Sequence, residues 1–172
     1  MNRRMFLGAG FATLPLEAAQ VPSPLVSAGA DRFGKSRGLG FSSIAFKVSS
    51  HDSDGDLFIF EHSNLSKGGP PRHLHFGEDE WLYALEGEFR VEVGTQKHVL
   101  KPGGSILMPR KVPHVWAYTG ASPGRLLIVF APANKMEAFF STTAKGLGSK
   151  PSLDPAFLRS YRIELLGPPL KL

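Results

Sequence analysis

The chain is punctuated too closely to form anything but short strands over most of its length. Between residues 41 and 131, the runs FSSIAFKV (41–48), DLFIFEHS (56–63), EFRVEV (88–93), KHVL (97–100), SILM (105–108), HVWAY (114–118) and RLLIVFA (125–131) alternate or run apolar. Gly, Pro or Asp stands between them. Many short strands at such spacing can bury their apolar faces only in a closed or two-sheet β architecture. A chain of 172 residues with 42% hydrophobic residues is enough for one domain with a sizeable core. The pattern changes after Pro132. NKMEAFFSTTAKGLG offers Asn134 as an N-cap, Glu137 three residues on, apolar Met136, Phe139 and Phe140, and Gly146 as a stop. Asp154 and Pro155 open a second short helix carrying Phe157, Leu158 and Tyr161. Both helices are expected on the outside or at an edge of the β structure.

Within this pattern, RHLHFGEDEWLYALEG (72–87) spends two histidines and four carboxylates where a plain strand pair needs none. Side chains alternate faces along a strand, so His73 and His75 project from one face while Leu74 turns away. Two imidazoles converging on one point can each offer a neutral nitrogen to a divalent ion at roughly 2.0 to 2.1 Å, with a carboxylate as the usual further partner. The loop FGEDE supplies several carboxylates, and Glu80 among them also opens the next apolar run, WLYAL. Downstream, KPGGSILMPRKVPHVWAY places turn punctuation at Pro102 to Gly104, an apolar run, a Pro-bounded turn, and then His114 at the head of another strand. His51, His62 and His98 sit in a loop, at a strand end and after a hairpin turn, where surface or core duty is expected.

These two stretches resemble the cupins. The first cupin motif is Gly, five residues, His-x-His, three or four residues, Glu, six residues, Gly, and His73, His75, Glu80 and Gly87 stand at those intervals. The second is Gly, five residues, Pro, one residue, Gly, two residues, His, three residues, Asn; here Gly103, Pro109 and His114 match. Lys67 replaces the leading Gly of the first motif, with Gly68 and Gly69 just after it, and Lys111 and Tyr118 replace the second Gly and the Asn. None of these departures falls on a ligand position of the family.

The resemblance, covering about residues 55 to 131, implies an all-β cupin double-stranded β-helix, that is, a jelly-roll barrel, with the two short C-terminal helices appended. It implies one divalent transition metal (Fe, Mn, Ni, Co, Cu or Zn) on His73, His75, Glu80 and His114. Three neutral imidazoles and one carboxylate leave such an ion with one net positive charge and, if octahedral, two open positions. Domain size, ligand set and the tail ending YRIELLGPPL are similar to single-domain proteins of the quercetin 2,3-dioxygenase-like group. That likeness implies a dioxygenase acting on a small aromatic or enolic substrate, with Glu80 as both ligand and catalytic proton acceptor. A non-oxidative sugar isomerase or epimerase, and a binding module without turnover, are the other classes the same scaffold serves. If His114 points inward, Trp116 and Tyr118 share its face and line a substrate pocket, while Val115 and Ala117 turn away. Cupins are commonly dimers, so a homodimer is one assembly the resemblance allows.

The net charge of +5 and pI near 9.6 come from scattered Lys and Arg, with no basic helix or nucleic-acid-binding motif, so no nucleic-acid partner is expected. With no cysteine, the chain has no disulfide, thiolate ligand or cysteine nucleophile. The first thirty residues, MNRRMFLGAGFATLPLEAAQVPSPLVSAGA, run from paired arginines through a short apolar stretch to small residues, the order of an export signal. Arg3, Arg4, Phe6 and Leu7 resemble the twin-arginine consensus, implying a periplasmic or secreted protein. Pro15 and Glu17 interrupt the apolar stretch, which is too short to span a bilayer. The expected division is therefore an export signal over 1–28, a linker over 29–40, a β-barrel over 41–132 and a helical extension over 133–172. Cleavage is expected after Ala28, with the region of Ala18 and Ala19 as an alternative.

Overall fold

A computed structural model describes residues 24–40, 42–145 and 153–172. In chain order its strands are β1 (Arg37–Leu39), β2 (Ser42–Val48), β3 (Phe58–Leu65), β4 (Arg72–His75), β5 (Asp79–Glu86) and β6 (Phe89–Val93). They continue as β7 (Gln96–Leu100), β8 (Ser105–Met108), β9 (His114–Tyr118) and β10 (Gly124–Ala131), then helices α1 (Met136–Thr143) and α2 (Pro155–Ser160), and finally β11 (Ile163–Gly167). The strands form two antiparallel sheets, ordered β1-β2-β3-β10-β5-β8 and β11-β4-β9-β6-β7. This is the all-β jelly roll expected from the alternating runs.

Period-2 alternation sets which side chains face the interior. In β10 every second residue from Gly124 is buried, and β5 repeats the pattern from Glu80. Phe46, Phe58, Phe60, Leu82, Phe89 and Phe130 are fully buried between the sheets. The β6–β7 connection is a two-residue hairpin in which Gly94 takes φ +58°, a conformation that costs glycine little. Among the described residues, no helix is long and apolar enough to cross a membrane.

Both ends of the chain differ from the reading by sequence. Residues 1–23 of the export-signal reading lie outside the described residues, as does Gly146. The segment read as a linker is tied down: the Asp31 carboxylate accepts from Phe33 N, Lys35 N, Arg37 Nε and Phe46 N, and β1 follows directly. At the other end the extension is not only helical. The chain returns as β11, with Ile163 opposite His75 and Leu165 opposite His73, so the tail is the edge neighbour of the histidine strand.

The two helices were expected on the outside or at an edge of the β structure. They bring Met136, Phe139, Phe140 and Leu158 against the wall of a cavity between the sheets. Asp154 caps α2, accepting from Phe157 N at 2.7 Å, with Pro155 at the first helical position. Asn134 does not cap α1; Lys135 precedes it without a side-chain cap, and Asn134 has φ +43° with its amide turned elsewhere. Glu137 is likewise spent on a distant partner: its carboxylate accepts from Ser49 Oγ at 2.9 Å and Ser50 N at 2.7 Å, pinning α1 to the turn after β2.

Candidate metal centre

Three elements deliver the four residues singled out by spacing. β4 turns His73 and His75 inward, β9 begins with His114 directly opposite His73, and β5 places Glu80 between Met108 and Phe130 on its neighbours. The turn before β9 is held by the Lys111 N–H donating to the His75 carbonyl at 2.7 Å, with Lys111 at φ +65°. That left-handed conformation is one that glycine takes without cost, and the second cupin motif has Gly there.

The imidazole and carboxylate ligand atoms of His73, His75, Glu80 and His114 lie within 4.8 Å of one another. All four are buried or nearly so, with His114 at 0% and Glu80 at 3% exposure. Each ring is oriented from behind. His73 Nδ1 donates to the Pro71 carbonyl at 2.7 Å, His114 Nδ1 to the Val112 carbonyl at 2.9 Å, and His75 Nδ1 to Glu78 Oε1 at 3.0 Å. With a proton on each Nδ1, each Nε2 faces the centre and is the atom that can give a lone pair to an ion. His75 Nε2 and His114 Nε2 are buried without any hydrogen-bond partner. They stand 3.2 and 3.3 Å from Glu80 Oε2, out of line for a hydrogen bond, and His73 Nε2 stands 4.0 Å from it.

Orphaned, converging nitrogens beside a buried carboxylate are expensive unless something positive joins them. Ligand atoms at roughly 2.1 Å from one ion would stand about 3 Å apart when adjacent and about 4.2 Å when opposite, close to the separations seen. The cluster therefore fits a divalent ion, and these four residues could hold one. The electrostatics agree. Burial, then the neighbouring imidazoles His75 and His114, push His73 down to about 3. Burial also opposes charge on His75, but Glu78 and Glu80 outweigh it and lift that ring to about 9. Burial opposes charge on Glu80, but the neighbouring His114 and His75 outweigh it and hold that carboxyl far below the usual carboxylate range. The two carboxylates thus favour positive charge at the point where the rings converge.

Glu78 was not singled out by sequence, although it is fully buried and accepts from both His75 Nδ1 and Asn134 Nδ2, the latter at 3.1 Å. It links a candidate ligand to the segment leading into α1. Its only signal was membership of the acidic FGEDE loop, which does not distinguish Glu78 from Asp79.

The cluster opens onto a cavity of about 750 Å³ between the sheets, lined by His73, His75 and Glu80 at one part and by apolar and aromatic side chains over most of its wall. Trp116 is on that wall; Tyr118 is not. The Tyr118 ring instead fills space left by Gly87, Gly120 and Gly124, where an added Cβ would lie 2.4 Å or less from it, and its hydroxyl donates to the Ser122 carbonyl. Alternation gave its face but not its depth in the barrel. Val115 and Ala117 turn from the pocket as expected, yet are buried too, and Gly69 packs against the backbone of Trp116 and Ala117. Of the remaining histidines, His51 and His98 are exposed and His62 is buried in the core, where it also lines the cavity.

Comparison with known proteins agrees with this architecture. Residues 60–130 match a family model described as a cupin domain. A solved RmlC-like cupin from Shewanella frigidimarina NCIMB 400 is 25% identical, with 67% of this chain and 96% of that chain covered and a TM-score of 0.51. A protein described as a predicted oxalate decarboxylase from Thermotoga maritima is 20% identical over 52% of this chain and 79% of that chain, with a TM-score of 0.48. Protein SchB of Streptomyces halstedii is 32% identical over 60 residues, which is 35% of this chain and 44% of SchB. The chain thus spans less than half the length of that curated relative. With the jelly roll, the domain match and both motifs in hand, the chain belongs to the cupin superfamily.

Proposed function

We propose that the protein is a metal-dependent dioxygenase, similar in activity to the quercetin 2,3-dioxygenase-like cupins, acting on a small aromatic or enolic substrate. The observation that carries this reading is the joining of the three-histidine, one-glutamate cluster to a largely apolar cavity, with Phe60, Trp116, Phe130 and Phe140 on its wall. One divalent transition ion held by His73, His75, Glu80 and His114 would supply Lewis-acid polarisation of an enolic oxygen and a meeting point for substrate and dioxygen. The protein's own part is positioning. The Nδ1 hydrogen bonds fix the rings, the aromatic wall clamps a flat substrate and excludes water, and Glu80, which lines the cavity, accepts the substrate's hydroxyl proton. A sugar would bury its hydroxyls against this mostly apolar wall without partners, which disfavours the isomerase reading.

The test is an oxygen-electrode and mass-spectrometric assay of protein loaded with Fe, Mn, Ni, Co, Cu or Zn against flavonols, catechols and diketones. Oxygen uptake with a cleaved product is expected for at least one pairing, and Glu80→Gln should lower kcat more than it raises KM. No uptake in any pairing, alongside metal-dependent sugar isomerisation, would overturn the reading. We further propose export through the twin-arginine-like N-terminus. Arg3→Lys with Arg4→Lys should retain the protein in the cytoplasm, and a wild-type protein already wholly cytoplasmic would refute this.

A further inference from the structure

The cavity has a second polar point that the metal chemistry does not use. His62 is 6% exposed, lies on the cavity wall, and is flanked by Phe60 and Trp116, whose ring centroids are 6.2 and 6.1 Å away. Its Nε2 stands 2.6 Å from Ser42 Oγ. The Ser42 hydroxyl has one proton and donates it to the Leu39 carbonyl at 2.6 Å. Ser42 Oγ can therefore only accept from His62, which places the ring proton on Nε2 and leaves a bare lone pair on Nδ1. Nδ1 has no hydrogen-bond partner among the described residues, and unlike His75 Nε2 and His114 Nε2 it is not sealed from solvent. Burial pushes His62 down to about 4, so the ring stays neutral and acceptor-capable across ordinary pH.

Its position relative to the metal cluster follows from strand register. Glu80 lies beside Phe130 and Phe130 beside Phe58; four residues further along β3, His62 lies beside Leu126, which in turn pairs with Ala84. Four residues of strand separate the two levels by roughly 13 Å along the sheet. Between them the wall is apolar, formed by Phe60, Ile128 and Phe130.

Resting on the function proposed above, we infer that His62 is a specificity-determining residue that accepts a hydrogen bond from a hydroxyl at the far end of an elongated, flat, otherwise apolar substrate. The substrate class is then an extended aromatic molecule with an anionic or chelating oxygen group at the metal end and a phenolic hydroxyl at the opposite end. Ser42 and the Leu39 carbonyl act as positioning groups that hold the ring in its accepting tautomer.

The test needs no turnover, so it can fail independently of the dioxygenase reading. Zinc-loaded protein is titrated calorimetrically with biphenyl-4-carboxylate and with 4′-hydroxybiphenyl-4-carboxylate, which differ only in the distal hydroxyl. Wild type should prefer the hydroxylated probe by about tenfold, the size of one well-made hydrogen bond. His62→Phe should bring the ratio to about one while leaving biphenyl-4-carboxylate affinity within about twofold. Ser42→Ala, which frees the tautomer, should give an intermediate ratio, and a proton-coupled nitrogen spectrum should show the His62 Nδ1 resonance shifting only with the hydroxylated probe. Equal affinities in wild type, a preference that survives in His62→Phe, or failure of both probes to bind overturns the proposal.

Discussion

Replacing Glu78 by Ala should weaken the metal centre although Glu78 is not one of its four candidate ligands. The carboxylate is fully buried and is, among the described residues, the sole acceptor for His75 Nδ1, at 3.0 Å, while holding Asn134 Nδ2 at 3.1 Å. Its removal leaves the Nδ1–H of a ring that is 2% exposed without an acceptor, a desolvation cost of about 1–3 kcal/mol in the metal-free protein. It also frees the tautomer and orientation of the ring and removes a negative charge beside the ion. Losses of this kind behind a metal-bound histidine typically cost 10- to 100-fold in affinity, or about 1.4–2.7 kcal/mol. Glu78→Gln should lie between, since an amide oxygen still accepts from His75 but an amide nitrogen then faces Asn134. Asn134→Gly, which keeps the positive φ and loses only the outer bond, should change affinity by no more than about threefold. Zinc affinity is read by competition with a chelating dye, and stability by urea unfolding of the metal-free proteins. A Glu78→Ala protein that binds zinc within about twofold of wild type would show that Glu78 does not support the site.

Two further outcomes follow from the same structure. His62 has its folded-state pKa depressed to about 4 from 6.5, so between those values the unfolded chain binds the proton and the folded one does not. Stability falls as pH drops through this window, by about 3 kcal/mol in all, and is unaffected by His62 above it. Urea unfolding at pH 7 and pH 4 should show a smaller acid loss for His62→Phe than for wild type; equal losses would contradict the assignment. Gly69→Ala would put a Cβ 1.9 Å from the Trp116 carbonyl oxygen, forcing the neighbouring Gly68–Tyr118 backbone pair apart. It should cost about 2 kcal/mol or more and lower Tm on the order of 5 °C, and an unchanged Tm would show that the contact relaxes freely.

The legible parts of this protein were those governed by strand periodicity and fixed spacing. His73 and His75 had to share a face, and the interval to Glu80 and to His114 carried the cupin motifs, so the cluster could be named before any fold was seen. Glu78 was not legible, because four carboxylates crowd one short stretch and only the path of the turn decides which one reaches His75. Tyr118 shows a related limit: period 2 gives a face, whereas depth depends on the glycines across the barrel that make room for the ring. In the C-terminal segment β11 was not legible, because its five residues are too short to outweigh the helical pattern before them, and a helix's apolar stripe says that it packs, not on what. Asn134 suits an N-cap by type, but its amide finds a better partner in buried Glu78.

We propose that His73, His75, Glu80 and His114 together hold one divalent ion. The most direct test is the metal content, by mass spectrometry, of wild type, His73→Ala and His114→Ala after dialysis against a chelator, reloading with one equivalent of zinc, and desalting. Circular dichroism confirms that each variant is folded. About one ion per chain is expected for wild type, and about a tenth of that or less for each variant. Full occupancy in either folded variant would show that the replaced histidine is not a ligand.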